Sequence, residues 1–197
     1  MKTPHWTAIA AILLVISGAV VAIVTDSFRT EPLSEFGSVP DFTLVERNGQ
    51  TVLRSEFNGK VWVADFIFTN CAGTCPLMTE QMSELQHVLP EEVLLVSFTV
   101  DPTRDTPMVL ATYADRHEAD SDRWYFLTGT REELYTLAQR GFHLAVDDTI
   151  GTEAEPITHS SRFVLIDQVG TIRNYYDGTN GGEVARIEDD VQALLSE

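Results

Sequence analysis

The chain has 197 residues, 44% of them hydrophobic, with 8 prolines and 12 glycines, which fits one domain of ordinary size plus an appendage. Its formal charge is −17 and lysine occurs only at Lys2 and Lys60, so the basic footprint that nucleic-acid binding needs is missing and that function class is excluded. What remains is an acidic, well-solvated domain whose chemistry has to be sought in its 2 cysteines and 5 histidines.

The appendage comes first in the chain. From Thr3 to Thr25 there is no Asp, Glu, Lys or Arg, and the apolar stretch Thr7 to Val24 approaches the ~20 residues a helix needs to cross a bilayer core. Trp6 stands where an interfacial aromatic belongs, Lys2 precedes the segment and Asp26 follows it. The expectation is a transmembrane anchor over residues 1–25, with everything after Asp26 on the extracytoplasmic side of the cytoplasmic membrane. A cleaved signal peptide is the competing reading and exports the domain equally. Residues 26–38, polar and carrying Pro32 and Gly37, read as a linker, and the folded domain is expected over 39–197.

Within that domain PDFTLVE and TVLRSEF flank Asn48-Gly49, a hairpin turn signal. VWVADFIF (61–68) is a nearly unbroken apolar run that reads as a central buried strand and leads into the cysteines. Pro76 suits the first turn of a helix in which Leu77, Met82, Leu85, Val88 and Leu89 recur at helical spacing. EVLLVSFTV (92–100) is the next strand and ends in DPTRDTP, where Thr106 as N-cap and Pro107 open a helix to about His117. WYFLTG (124–129) follows as a strand, and Thr130 caps a helix through Arg140. GFHLAVD, RFVLID and TIRNYYDG read as short strands, the last two joined through Gly170, and residues 182–196 as an amphipathic helix with Val184, Ile187, Val191 and Leu194 on one side. Strands alternating with helices, then a closing hairpin and helix, imply an α/β fold: a mixed sheet with helices on both faces and an N-terminal hairpin insertion. A cysteine pair between a central strand and a proline-opened helix is the thioredoxin arrangement, so the fold is expected to be thioredoxin-like.

The pair is Cys71 and Cys75, in TNCAGTCPLM. A helix N-terminus offers unpaired N–H groups and partial positive charge, which favours thiolate at Cys75. Thiolate is both nucleophile and metal ligand, so this expectation fits a redox pair and a metal site alike. Three residues separate the cysteines where thioredoxin-type oxidoreductases have two. Structural zinc would need four ligands, and the chain has neither a second cysteine pair nor an H-x₃₋₅-H run. Copper accepts thiolate and imidazole in smaller sets. A structural disulfide, stapling an interaction module, stays open because an exported domain permits one.

Among the histidines, His5 precedes the apolar segment, His87 and His117 fall late in helices as surface residues, and His143 falls within a strand as a structural residue. His159, in ITHSSRFVLID, lies just before a strand whose preceding loop faces the dithiol in thioredoxin-like folds, which makes it the candidate third ligand. Met78 and Met82 carry soft thioethers, but methionines at helical spacing are core residues first.

FIFTNCAGTCPLM, FTVDPTRDTPMVLATYA and THSSRFVLID, in that order, resemble the Sco/SenC family of membrane-anchored, thioredoxin-like copper proteins that serve cytochrome c oxidase assembly. The resemblance runs from about Val39 to Tyr176. It implies copper held by Cys71, Cys75 and His159, and delivery to the copper-site subunit of the oxidase. Other periplasmic copper chaperones or thiol reductants are further implied partners. The same family leaves room for a thiol–disulfide reductase, in which Cys71 and Cys75 are the redox-active residues. Asp101 of DPTRDTP is expected to support the cysteine loop. Two positions depart from many members: Ala72 replaces a proline and Thr158 an aspartate next to His159, so a contact orienting the imidazole is expected to be weakened and copper affinity to differ from theirs.

Overall fold

The computed structural model describes residues 32–149 and 157–197. The expected membrane segment and residues 26–31 of the expected linker lie outside them, and no described helix is long and apolar enough to cross a membrane. Leu33–Glu197 forms one compact unit.

β1 (Thr43–Glu46) and β2 (Thr51–Leu53) make the expected hairpin, and Gly49 takes φ +83° in its turn, a conformation glycine reaches without a Cβ clash. β3 (Trp62–Ile67) and β4 (Leu94–Thr99) are buried at every residue, as an unbroken apolar run between two covering layers must be. With β5 (Trp124–Thr128) they form a parallel trio, linked by α1 (Cys75–Val88) and α2 (Pro107–Arg116). The chain then passes through α3 (Arg131–Thr136), a small sheet of β6 (Val146–Asp147) and β7 (Thr158–His159), the hairpin β8 (Arg162–Ile166) and β9 (Ile172–Asp177), and α4 (Gly182–Leu195). The main sheet has seven strands in the order β2-β1-β5-β4-β3-β8-β9, mixed because β1, β8 and β9 run antiparallel to their neighbours. This is the thioredoxin-like α/β architecture, with β4 in the middle of the order and β3 beside it.

Side chains alternate across β3 and β4. Trp62, Phe66 and Phe98 point to one face and meet Phe142 edge-on or tilted. Asp65 and Ser97 are register partners on the other, where Phe126 is next in line and packs against Tyr113 of α2. The Thr79 hydroxyl, 2.7 Å from the Tyr113 hydroxyl, ties α1 to α2 over that face. α4 buries Val184, Ile187, Val191 and Leu194, the four residues its periodicity selects.

Two expected elements differ. The helix capped by Thr130 does not run regularly to Arg140: α3 widens into a π-helical turn, Leu137–Gly141. Leu144 N–H then closes back on Ala138 O at 2.9 Å, so GFHLAVD has little backbone left for a ladder and only Val146–Asp147 is strand. His143 accordingly lies outside any strand, exposed, with φ +55°. Residues at the end of the expected linker lie along β9: Phe36 N–H donates to Ile172 O, and the Arg173 guanidinium donates to the carbonyls of Leu33 and Ser34.

Candidate metal centre

Three separate elements deliver the three expected residues to one place. Cys71 sits in the loop after β3, half-buried, and its Sγ accepts the Gly73 N–H at 3.4 Å. Cys75 opens α1 and is buried, with its carbonyl accepting the Thr79 hydroxyl at 2.9 Å. His159 comes from β7, where pairing with Val146 of β6 fixes its place. Its Nε2 is 3.1 Å from Cys75 Sγ, and one donor atom from each of the three residues lies within 4.8 Å of the others. Sulfur and nitrogen donors bond a first-row metal at about 2.0–2.3 Å, which sets ligands of a three-coordinate ion roughly 3.5–4 Å apart. The cluster therefore fits one small metal ion with minor adjustment. It is the one such cluster among the described residues.

Proton positions follow from the partners. His159 Nδ1 is 3.1 Å from Ser160 O, and a carbonyl only accepts, so Nδ1 carries the hydrogen. Nε2 is then the bare nitrogen aimed at Cys75, whose S–H donates to it. This is the tautomer a metal bound through Nε2 requires, and a backbone carbonyl orients it. An orienting contact for the imidazole, expected to be weakened at Thr158, is made by Ser160 O, while Thr158 itself is exposed and pairs with Asp147. Phe68 packs edge-on against the imidazole, centroids 5.6 Å apart, and closes the apolar side.

The expectation of a thiolate at Cys75 is corrected. Burial pushes its thiol well up from the ordinary value, the Phe68 backbone hydrogen bond opposes this in part, and Cys71 and Asp65 add smaller contributions to the rise. Helix N-terminal polarity is a local effect of roughly 0.3–1 kcal/mol, which desolvation of a buried charge exceeds.

Two acids of the surroundings have roles that the apolar pattern did not single out. Asp65, in the middle of β3, is buried; desolvation pushes its carboxyl up to about 7 against the lowering effect of a Ser97 hydrogen bond. Its Oδ1 has no hydrogen-bond partner. The lone acid in VWVADFIF was its only sequence signal. Asp105, rather than the expected Asp101, reaches the cysteine loop: its carboxylate accepts from Thr69 N–H at 3.1 Å, Thr69 Oγ1 at 2.5 Å and Thr99 Oγ1 at 2.6 Å. Asp101 turns instead to Arg104 at 3.1 Å.

The other candidates stay apart from the cluster. His87 Nδ1 is 2.6 Å from Ser83 O on the exposed side of α1, and His117 ends α2 with its ring 4.6 Å from Tyr113. Met78 and Met82 are fully buried in the core.

The profile of the SCO1/SenC family matches residues 31–196. The chain belongs to that family. A SCO1 protein homolog of Bacillus subtilis (strain 168) is 35% identical over 159 residues, covering 79% of this chain and 81% of its own. A putative copper-binding protein of Stutzerimonas stutzeri is 31% identical over 70% of this chain and 68% of its own. Among solved structures, BsSco superposes with a TM-score of 0.75 at 32% identity, over 85% of this chain and 98% of that one. That protein is a member of the Sco family of cytochrome c oxidase assembly proteins in which a disulfide switch was identified.

Proposed function

We propose that the protein is a copper metallochaperone that carries one copper ion on Cys71, Cys75 and His159 and delivers it to the dinuclear copper site of cytochrome c oxidase. The observation that carries the reading is the donor set itself: two thiols and a correctly protonated imidazole within 4.8 Å, supplied by three elements of a copper-protein family fold. Two sulfurs and one nitrogen suit copper better than zinc, which would want a fourth ligand. Binding releases the thiol protons, and transfer proceeds by stepwise replacement of one protein ligand at a time by thiolates of the recipient. Half-exposed Cys71 is the first to be exchanged and buried Cys75 the last. The recipient is the copper-site subunit of the oxidase, with other extracytoplasmic copper chaperones or thiol reductants as upstream partners. The apolar stretch Thr7 to Val24 would anchor the chain in the cytoplasmic membrane with residues 39–197 as an extracytoplasmic copper-binding domain.

A second reading, a thiol–disulfide reductase that keeps the oxidase cysteines reduced, is favoured by the same unequal exposure of the two thiols. Titration of the fully reduced chain with Cu(I) against a chromophoric chelator, wild type beside His159→Ala, separates the two. The carrier reading expects one tightly held ion and a loss on the order of 10–100-fold or more in the variant. Unchanged affinity in His159→Ala refutes the site. Loss of copper with retained reduction of a disulfide-bonded oxidase peptide assigns the second activity to the cysteines alone.

A further inference from the structure

Each donor of the cluster has its own support, and only Cys71 lacks one within its own element. Cys75 is fixed by α1 and by the Thr79 hydroxyl, and His159 by the β6–β7 pair and Ser160 O. Cys71 hangs in a loop with the weak Gly73 contact on its sulfur. Two residues before it, Thr69 is held at both its N–H and its hydroxyl by Asp105.

From this geometry we infer that Asp105 is the positioning residue for Cys71, and that it sets copper affinity through that one ligand. The inference rests on the copper reading above. Asp105 is fully buried, and burying a carboxylate is costly unless donors surround it. All three donors are present, two of them from Thr69 alone. The third, Thr99 Oγ1, accepts the Asp101 N–H at 2.9 Å, which leaves its own hydrogen for Asp105. Asp105's own loop has backbone closure besides the Thr99 contact: Arg104 N–H and Asp105 N–H both close on Asp101 O, at 3.1 and 2.9 Å. α2 has its own N-cap, the Thr106 hydroxyl facing Val109 N–H. Two of the carboxylate's three bonds therefore reach across from the β4–α2 loop to the root of the cysteine loop. Gripping one residue at main chain and side chain together fixes both the direction of the backbone and the Thr69 rotamer, so Cys71 leaves β3 at a set angle. Released from that grip, Cys71 samples positions away from the Cys75–His159 pair.

The test uses the full reduced chain and Cu(I) competed by a chromophoric chelator. Asp105→Asn keeps the shape but replaces one acceptor by a donor, and is expected to lower affinity by on the order of 10–100-fold. Thr69→Val removes one of the two grips and lowers it less; Thr69→Ser, which keeps the hydroxyl, restores it. In a Cys71→Ser background Asp105→Asn causes no further loss, because the ligand it acts through is gone. An equal further loss in that background, or failure of Thr69→Ser to restore what Thr69→Val removes, overturns the inference. If Asp105→Asn does not fold, the Thr69 pair carries the same test. Should the wild type bind no copper, the copper reading fails, and positioning is read instead from iodoacetamide alkylation of Cys71 in a Cys75→Ser chain. There Asp105→Asn is expected to change the rate severalfold, and an unchanged rate overturns the inference independently.

Discussion

Replacing Asp65 by asparagine should change how stability depends on pH more than it changes stability at any one pH. Asp65 lies opposite Ser97 in the parallel β3–β4 ladder, on the face covered by α1 and α2. The Trp124 indole N–H donates to Ser97 Oγ at 3.0 Å, and an indole only donates, so the Ser97 hydrogen is left for the Asp65 carboxyl. One oxygen is thereby satisfied and Oδ1 is not. Desolvation raises the group from its ordinary value of 3.8 to about 7. A raised acid binds its proton more tightly folded than unfolded, so its contribution is fully present below about pH 4 and is lost as pH rises to about 7, then stays level. Each pH unit in that window is worth about 1.4 kcal/mol, so the full loss is about 4 kcal/mol. Asparagine cannot ionise and escapes this loss, but its amide places an N–H₂ or a carbonyl at the unpartnered position at a constant cost of about 1–3 kcal/mol. Urea unfolding of the reduced chain at half-unit steps from pH 4 to 8 measures both. The difference between variant and wild type should move in favour of asparagine by several kcal/mol across the window, whatever its offset at pH 4. A difference that stays flat from pH 4 to 8 refutes the buried, proton-retaining carboxyl.

Three further outcomes are expected. In a Cys71→Ser chain the alkylation rate of Cys75 should still be rising at pH 9, because burial keeps it a thiol; a plateau below pH 8 would mean that the helix N-terminus prevails. Met82→Ala removes a fully buried side chain from under α1 and should cost about 2–5 kcal/mol by urea unfolding, with less than about 1 kcal/mol showing that the core there can collapse. Thr130→Ala breaks a capping box in which the Thr130 hydroxyl faces Glu133 N–H at 3.3 Å and the Glu133 carboxylate accepts Thr130 N–H at 3.0 Å; a loss of about 0.5–2 kcal/mol should appear in the same assay.

What the sequence made legible was whatever depends on a local run of residues. VWVADFIF and EVLLVSFTV could only be covered strands, Thr106-Pro107 and Thr130 could only open helices, and the α4 stripe named its own buried face. Features set by distant partners were not legible. β6 and β7 are two residues each, too short for any periodicity, and exist because they pair with one another. Cys75 looked like a thiolate from its place at a helix start, yet elements remote in sequence bury it and decide its proton. DPTRDTP offered two aspartates, and nothing local says that the second turns toward Thr69 while the first takes Arg104.

Under the proposed carrier function, the same division accounts for a cluster that holds a cargo. At its buried end the cluster is close to neutral: Cys75 keeps its proton and donates it to the imidazole nitrogen, with Phe68 packed edge-on against the ring. A copper ion replaces that proton and meets donors already placed by three independent supports, which limits the ordering cost of binding. Release is then governed by the donor on the loosest support and the most open side. That donor is Cys71, and the strength of its support is the Asp105 grip on Thr69. Under the copper reading, the reach of one buried carboxylate into the cysteine loop separates holding the ion from handing it on.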